Sequence, residues 1–225
     1  MPLAEQAARH AAKALRLREG DAVVLFDGAG GEYPARIAEI GKHGVTARIG
    51  AHLARECEAP LEVTLAQAIS AGEKMDFTLQ KATELGIARI QPLASERSVV
   101  KLSGERADKR VAHWQGVVIS ACEQCGRNRI PPVAPIRPYT GWLGDGLSGL
   151  RLMLSPEAET SLRGLPRPDQ PVTLLIGPEG GFSAAETAAA QHAKFTPVRL
   201  GTRILRTETA ALAALAAMQA LWGDF

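Results

Sequence analysis

The apolar residues of this chain change period near residue 72. Between residues 21 and 70 they tend to alternate with polar ones: the segments AVVLFDG, EYPARIAEI, VTARIG and LEVTLAQAI are rich in β-branched residues and are separated by Gly-rich turns at 28–31 and 41–44. That is the pattern of short strands. With a short helix over 4–15 ahead of them, the four strands fit a small β-barrel. Beyond residue 72, Met75, Leu79, Ala82 and Leu85 recur at helical spacing, and Gly86 closes that helix as a C-cap should. A strand near 90–93, a helix over about 105–125 and a Pro-rich connection at 131–138 follow. Strands at 150–154, 172–176 and 195–199 come next, and an Ala/Leu-rich helix over 208–221 ends the chain. Strands alternating with helices predict a mostly parallel sheet with helices on both faces. The chain therefore reads as two domains, 1–70 and 72–225.

Composition narrows the class. With 225 residues, 46% of them hydrophobic and 22% charged, the chain can bury a core without disulfides or metals. Its three cysteines are too few and too odd for a disulfide framework. Cys122 and Cys125 form a CxxC with no second ligand pair, so no metal is expected. No apolar run reaches the roughly 18–20 residues that span a bilayer, and the start MPLAEQAARH lacks a signal-peptide core. The expectation is a cytoplasmic protein with no membrane partner. A net charge of +2 hardly argues for nucleic acid. Its distribution says more: Lys74, Lys81, Arg89, Arg97, Lys101, Arg106, Lys109, Arg110, Arg127 and Arg129 lie between residues 73 and 130, ten bases against seven acids. That stretch is either a phosphate-binding surface or a solvated helical face.

Two segments carry candidate chemistry. In VTLLIGPEGGFSAAE (172–186) an apolar strand runs into a Gly-rich turn and then a helix, with Ser183 and Glu186 spaced as a capping box. The turn is thus placed at the C-terminal edge of a buried parallel strand, where α/β proteins bind ligands. It lacks the Gly-Lys-Ser/Thr of a phosphate loop and the G-x-G-x-x-G of a dinucleotide fold, and by glycine content alone it could equally be a plain tight turn. In VRLGTRILRTETAALAAL (198–215) a second strand ends at Leu200-Gly201. Arg203 and Arg206 flank Ile204 and Leu205, and Thr207 is the predicted cap of the helix that follows. Either Ile204 and Leu205 wall a pocket beside a fixed positive charge, or they are core and the arginines are solvated.

Taken together, GPEGGF and LGTRILRTETA resemble the RsmE family of bacterial ribosomal RNA methyltransferases, a branch of the SPOUT superfamily. Lys74-Met75-Asp76, the Lys81-x-x-Glu84-Leu85-Gly86 helix, Glu96-Arg97-Ser98 and Ser120-x-x-Glu123-Gln124-x-Gly126-Arg127 match further motifs of that family, so the likeness spans nearly the whole chain. The resemblance implies an N-terminal PUA-like RNA-binding β-barrel and a SPOUT domain whose C-terminal segment threads a loop to form a trefoil knot. It also implies a homodimer that uses S-adenosylmethionine to methylate N3 of a uridine in 16S rRNA, position 1498 in the conventional rRNA numbering, on free RNA or the assembled small ribosomal subunit. Carried over by motif, Leu175, Ile176, Gly177, Gly180, Leu200, Gly201, Ile204, Leu205 and Arg206 would surround the methyl donor. Lys81, Glu123, Gln124 and Arg127 would lie nearer RNA or a second subunit, and Arg97 is a further RNA-contact candidate. Arg206 is expected to stabilise charge on the uracil carbonyls, and Glu123 to be a polar or proton-accepting partner or else a helix-surface ion pair.

Members of that family begin with a strand carrying aromatic and arginine residues ahead of the segment matching 5–17, whereas this sequence starts almost at that segment. The barrel is therefore expected to lack its first strand or to close differently, leaving Arg9, His10, Arg16 and Arg18 as candidate RNA contacts. Two other readings stay open: a SPOUT enzyme acting on a ribose 2′-hydroxyl or another base, and a noncatalytic RNA-binding assembly factor.

Overall fold

The computed structural model describes residues 1–42, 44–98 and 102–225, so His43 of the 41–44 turn and Lys101 of the basic stretch lie outside the described residues. The chain divides into two compact units, residues 1–57 with 126–130, and residues 58–125 with 131–225.

In the smaller unit α1 (Glu5–Arg9) runs on into a π-helical turn at His10–Ala14. Strands β1 (Ala22–Leu25), β2 (Tyr33–Gly41) and β3 (Gly44–Ile49) form an antiparallel sheet in sequence order, with a register shift between Ile37 and Glu39. One side of the sheet is covered: Ala8, Ile37 and Val45 are buried, and Leu3, Leu17 and Val23 pack against them. Alternation in β2 and β3 therefore marks one wet and one dry face, as in antiparallel sheets generally.

The fourth predicted barrel strand belongs elsewhere. It is β4 (Val63–Ala68), an inner strand of the other sheet. Five of its six residues are buried, because it lies inside a parallel sheet covered on both faces, where apolar runs are near-continuous. After it come α2 (Glu73–Glu84), β5 (Arg89–Ala94), α3 (Glu105–Cys125), β6 (Arg137–Pro138), α4 (Tyr139–Leu143), β7 (Leu150–Leu154), β8 (Val172–Ile176), α5 (Ala184–His192), β9 (Thr196–Val198) and α6 (Thr207–Trp222). The strand order is β6-β5-β4-β8-β7-β9, and every pairing is parallel.

Strand β6 and helix α4 fall within or directly after the stretch predicted as a Pro-rich connection. Prolines hide the short strand in the sequence, and α4 forms because Tyr139 and Trp142 bury their rings against Leu175, Phe195, Met153 and Leu93 on one face of the sheet. Gln67 points to the other face, since neighbouring strand residues alternate, and there it meets Thr207 at the start of α6. The helix at 73–84 ends where Gly86 takes a φ of +82°, the left-handed C-cap that the sequence predicts.

Candidate functional site

Strands β7, β8 and β9 are neighbours and parallel, so their C-terminal ends open on one edge of the sheet. The loops leaving them enclose a cleft of about 880 Å³, lined by Met153–Glu157, Ile176–Phe182 and Val198–Thr207, with Lys74 and Glu208 at its sides. Both segments singled out in the sequence meet here.

Hydrogen bonds fix the loop after β8. Ser183 and Glu186 form the predicted capping box: the Glu186 backbone N–H donates to Ser183 Oγ, and the Ser183 N–H donates to Glu186 Oε2 at 2.9 Å. The same buried carboxylate accepts from the Glu96 backbone N–H at 2.8 Å, tying the turn after β5 to α5. Next to it Arg97 donates to the Gly180 carbonyl at 2.9 Å, and a Cβ on Gly180 would stand 3.4 Å from the arginine stem. Glu179 accepts from the Ala71 N–H at 3.0 Å and from Lys74 at 3.1 Å. Desolvation pushes the Glu179 carboxyl upward, but the backbone N–H groups of Glu179 and Ala71 and the Lys74 ammonium outweigh it and hold its pKa below the ordinary value. Tyr139, whose hydroxyl burial and the Glu186 charge keep protonated far above its usual range, donates to the Glu186 carbonyl.

The loop after β9 is joined to this one by a single side chain. Thr207 does not cap α6: the capping position is Arg206, which makes no side-chain cap bond, and Thr207 is buried. Its Oγ1 donates to the Gly177 carbonyl at 2.6 Å and accepts from Gln67 Nε2 at 3.1 Å. One hydroxyl thus links β4, the loop after β8 and the first turn of α6. Gly201 has a φ of +79°, a conformation that disfavours any side chain in its place.

Ile176, Gly177, Gly180, Leu200, Gly201, Ile204, Leu205 and Arg206 all line the cleft. Leu175 does not; it is fully buried on the opposite side of β8, among Ala66, Tyr139 and Phe195. Glu123 and Gln124 are exposed on the last turn of α3 and are not among the cleft-lining residues. Lys81 pairs with Glu84 at 2.8 Å, and Arg9 with Glu5 at 2.9 Å. Arg16 is exposed, with a φ of +52°. Arg127 is buried, and Arg97 is committed to the loop after β8. Sequence reasoning missed Lys74 and the 153–157 segment as parts of the site, because only strand order places β7 beside β8.

Cys122 is buried, and among the described residues no group of three or more His, Cys, Asp or Glu side chains could hold a metal ion. The lining instead suits an organic ligand carrying hydrogen-bond donors. Oε2 of Glu208 is buried with no hydrogen-bond partner among the described residues, which leaves an acceptor for a donor on a ligand, and the glycines let backbone approach closely. No helix is long and apolar enough to cross a membrane among the described residues.

Comparison with known proteins agrees with this geometry. A model of the RNA methyltransferase domain matches residues 57–219, and a model of the RNA methyltransferase PUA domain matches residues 3–50. Ribosomal RNA small subunit methyltransferase E of Buchnera aphidicola subsp. Schizaphis graminum is 38% identical over 94% of this chain and 87% of its own length. The Synechocystis enzyme of the same name is 37% identical over 93% of this chain and 69% of its own. Among solved structures, a ribosomal RNA small subunit methyltransferase E from Neisseria gonorrhoeae bound to S-adenosylmethionine superposes with a TM-score of 0.93 at 46% identity, covering 100% of this chain and 93% of the other. A methyltransferase from Legionella pneumophila in complex with the same cofactor gives 0.96 at 41% identity, with the same coverage.

Proposed function

The chain belongs to the ribosomal RNA small subunit methyltransferase E family, and we propose that it methylates N3 of a uridine in 16S rRNA with S-adenosylmethionine as donor. By family resemblance the target is position 1498 and the substrate is 16S rRNA, free or in the assembled small ribosomal subunit, with the protein acting as a cytoplasmic homodimer that has a SPOUT knot around the donor site. The observation that carries this reading is the cleft at the ends of β7, β8 and β9, assembled from both sequence motifs and locked by Thr207.

When bound, S-adenosylmethionine supplies a methyl group on a sulfonium that needs little further activation. The protein has two remaining tasks. Ile176, Gly177, Gly180, Leu200, Gly201, Ile204 and Leu205 would hold and orient the donor, and alignment of this kind accounts for much of the rate of such transfers. Uracil N3 is a poor nucleophile until its imide proton leaves, and the resulting charge spreads onto the carbonyl oxygens. Arg206, exposed at the rim of the cleft, would stabilise that charge. A proton acceptor must come within hydrogen-bond reach of N3. Glu123 lies outside the cleft of its own chain, so its assignment as acceptor requires delivery by a second subunit. Lys81, Gln124 and Arg127 remain assigned to the RNA- or subunit-facing side, as do Arg9, Arg16 and Arg97.

The test is mass-spectrometric mapping of 16S rRNA after the protein and donor are added to unmethylated small subunits. A single N3-methyluridine is expected. A methyl on a ribose hydroxyl or on another base would replace this reading with another transferase specificity, and no methyl together with no donor binding would leave an RNA-binding factor.

A further inference from the structure

We infer that the outer face of the β1-β2-β3 sheet holds RNA phosphates through Arg36 and Arg48; this rests on the reading of the chain as an rRNA methyltransferase. Alternation turns Val23, Ala35, Ile37, Val45 and Ala47 inward and leaves Val24, Pro34, Arg36 and Arg48 on the outer face. The register sets Arg36 directly opposite Arg48, with Ala22 opposite Arg36 on its other side. Like charges facing each other across an antiparallel pair are destabilising. This pair has no compensation: among the described residues neither arginine forms an ion pair. Arg36 donates to the Gly20 carbonyl at 2.9 Å, and Arg48 makes no side-chain hydrogen bond among the described residues. Three other arginines of the same unit are met by carboxylates, Arg9 by Glu5, Arg55 by Glu32 and Arg129 by Glu56, whereas Arg16 and Arg18, like Arg36 and Arg48, form no ion pair among the described residues.

The surroundings suit a polyanion. A shallow groove of about 510 Å³ runs over this face, lined by the two arginines and by apolar residues including Val24, Pro34 and Ile49, with no acidic residue in it. Val24 is 57% exposed, which leaves an apolar surface beside the charges for a ribose or base. Charge is also partitioned between the units. The small unit carries ten Lys and Arg against seven Asp and Glu, whereas the rest of the chain carries 16 against 17. The weak positive charge of the whole chain thus resides in the unit that presents this face, which takes in Arg127 and Arg129 of the basic 73–130 stretch. A phosphate backbone would neutralise both arginines at once and relieve their mutual repulsion.

The experiment is equilibrium binding of a 16S rRNA fragment by the full chain between about 50 and 200 mM salt, comparing wild type with Arg48→Ala and Arg48→Glu. Loss of one phosphate contact lowers the slope of log affinity against log salt by about 0.7–0.9, so Arg48→Ala binds several-fold more weakly at the lowest salt and Arg48→Glu more weakly still. Donor affinity by calorimetry stays at the wild-type value, because Arg48 is not among the residues that line the cleft, and the melting temperature does not fall, because either substitution removes the repulsion between Arg48 and Arg36. Wild-type slope and affinity in both variants would overturn the inference. Weaker binding with an unchanged slope would overturn it as well, since the face would then act through apolar contact. Wild-type protein that binds RNA through Arg48 but transfers no methyl group would uphold this face and sink the proposed function, so the two failures are distinguishable.

Discussion

Strand β8 buries all five of its residues, whereas β1 alternates exposed and half-buried ones. The contrast extends to the elements around them. Side chains from four elements converge on the loop after β8: Arg97 from the turn after β5, Lys74 from α2, Thr207 from α6 and Glu186 from α5. On the outer face of β1, β2 and β3 one bond, Arg36 to Gly20, is the side-chain hydrogen bond made by its two arginines among the described residues. A cleft that must align a methyl carbon to within a fraction of an ångström benefits from fixed geometry. A surface that holds a charged backbone benefits from unpaired cations, whose effect is long-ranged and salt-dependent. Substitutions should therefore act in two distinguishable ways: through rate and donor affinity in the first region, and through salt slope in the second.

The largest effect is expected at Arg206. Its backbone takes the N-cap place of α6, but its side chain makes no cap bond, so Arg206→Ala leaves the helix start intact. If its charge is used on the developing uracil anion, methyl transfer falls by about 10²–10³-fold, with donor affinity close to wild type and an unaltered salt slope for RNA. Single-turnover transfer and calorimetry measure the two quantities separately. Full transfer with normal donor binding would remove Arg206 from its assigned role. A changed salt slope would blur the division between cleft and sheet face.

A smaller effect is expected from Thr207→Val, which keeps the shape and deletes the hydroxyl. The Gly177 carbonyl and the buried Gln67 amide then each lose a partner, a change worth about 1–3 kcal/mol. Donor affinity and melting temperature should both fall, because the hydroxyl joins the two loops that form the cleft. Chemical denaturation alongside donor titration checks this. A loss of stability without any loss of donor affinity would mean that the lock belongs to the core and not to the site.

This residue also shows where sequence was sufficient and where it was not. Local signals were legible: the capping box at Ser183 and Glu186 and the left-handed Gly86 follow from nearest-neighbour chemistry. So was the pair of loops, since each follows a strand and strand ends are where such sheets bind ligands. Thr207 reads as an N-cap by residue type, yet its hydroxyl is taken by a carbonyl 30 residues away. Leu175 falls within a ligand motif, but strand alternation turns it into the core. Strand β4 looks like a barrel strand because β-branched alternation does not say which sheet a strand joins, and the bond from Arg97 to a backbone carbonyl 83 residues away is not legible in its own motif. Each of these depends on strand order, which no local pattern encodes.

The smallest expected effect concerns Glu179, and its sign is fixed by the direction of its shift. The folded state holds this carboxyl below its ordinary value of 4.5, with desolvation opposing and the Glu179 and Ala71 N–H groups and Lys74 prevailing. The stabilisation is therefore complete above pH 4.5 and is lost as pH falls through the folded-state value. Glu179→Gln should melt at a lower temperature than wild type at pH 7, by a small margin because the pair with Lys74 is partly exposed. The two proteins should converge once the pH is low enough to protonate the wild-type carboxyl in the folded state. Thermal melts from pH 7 down to pH 3 check this. A difference that stays constant across that range would show that Glu179 holds the loop by shape and neutral hydrogen bonding, and that the cleft owes less to charge than its Lys74 contact indicates.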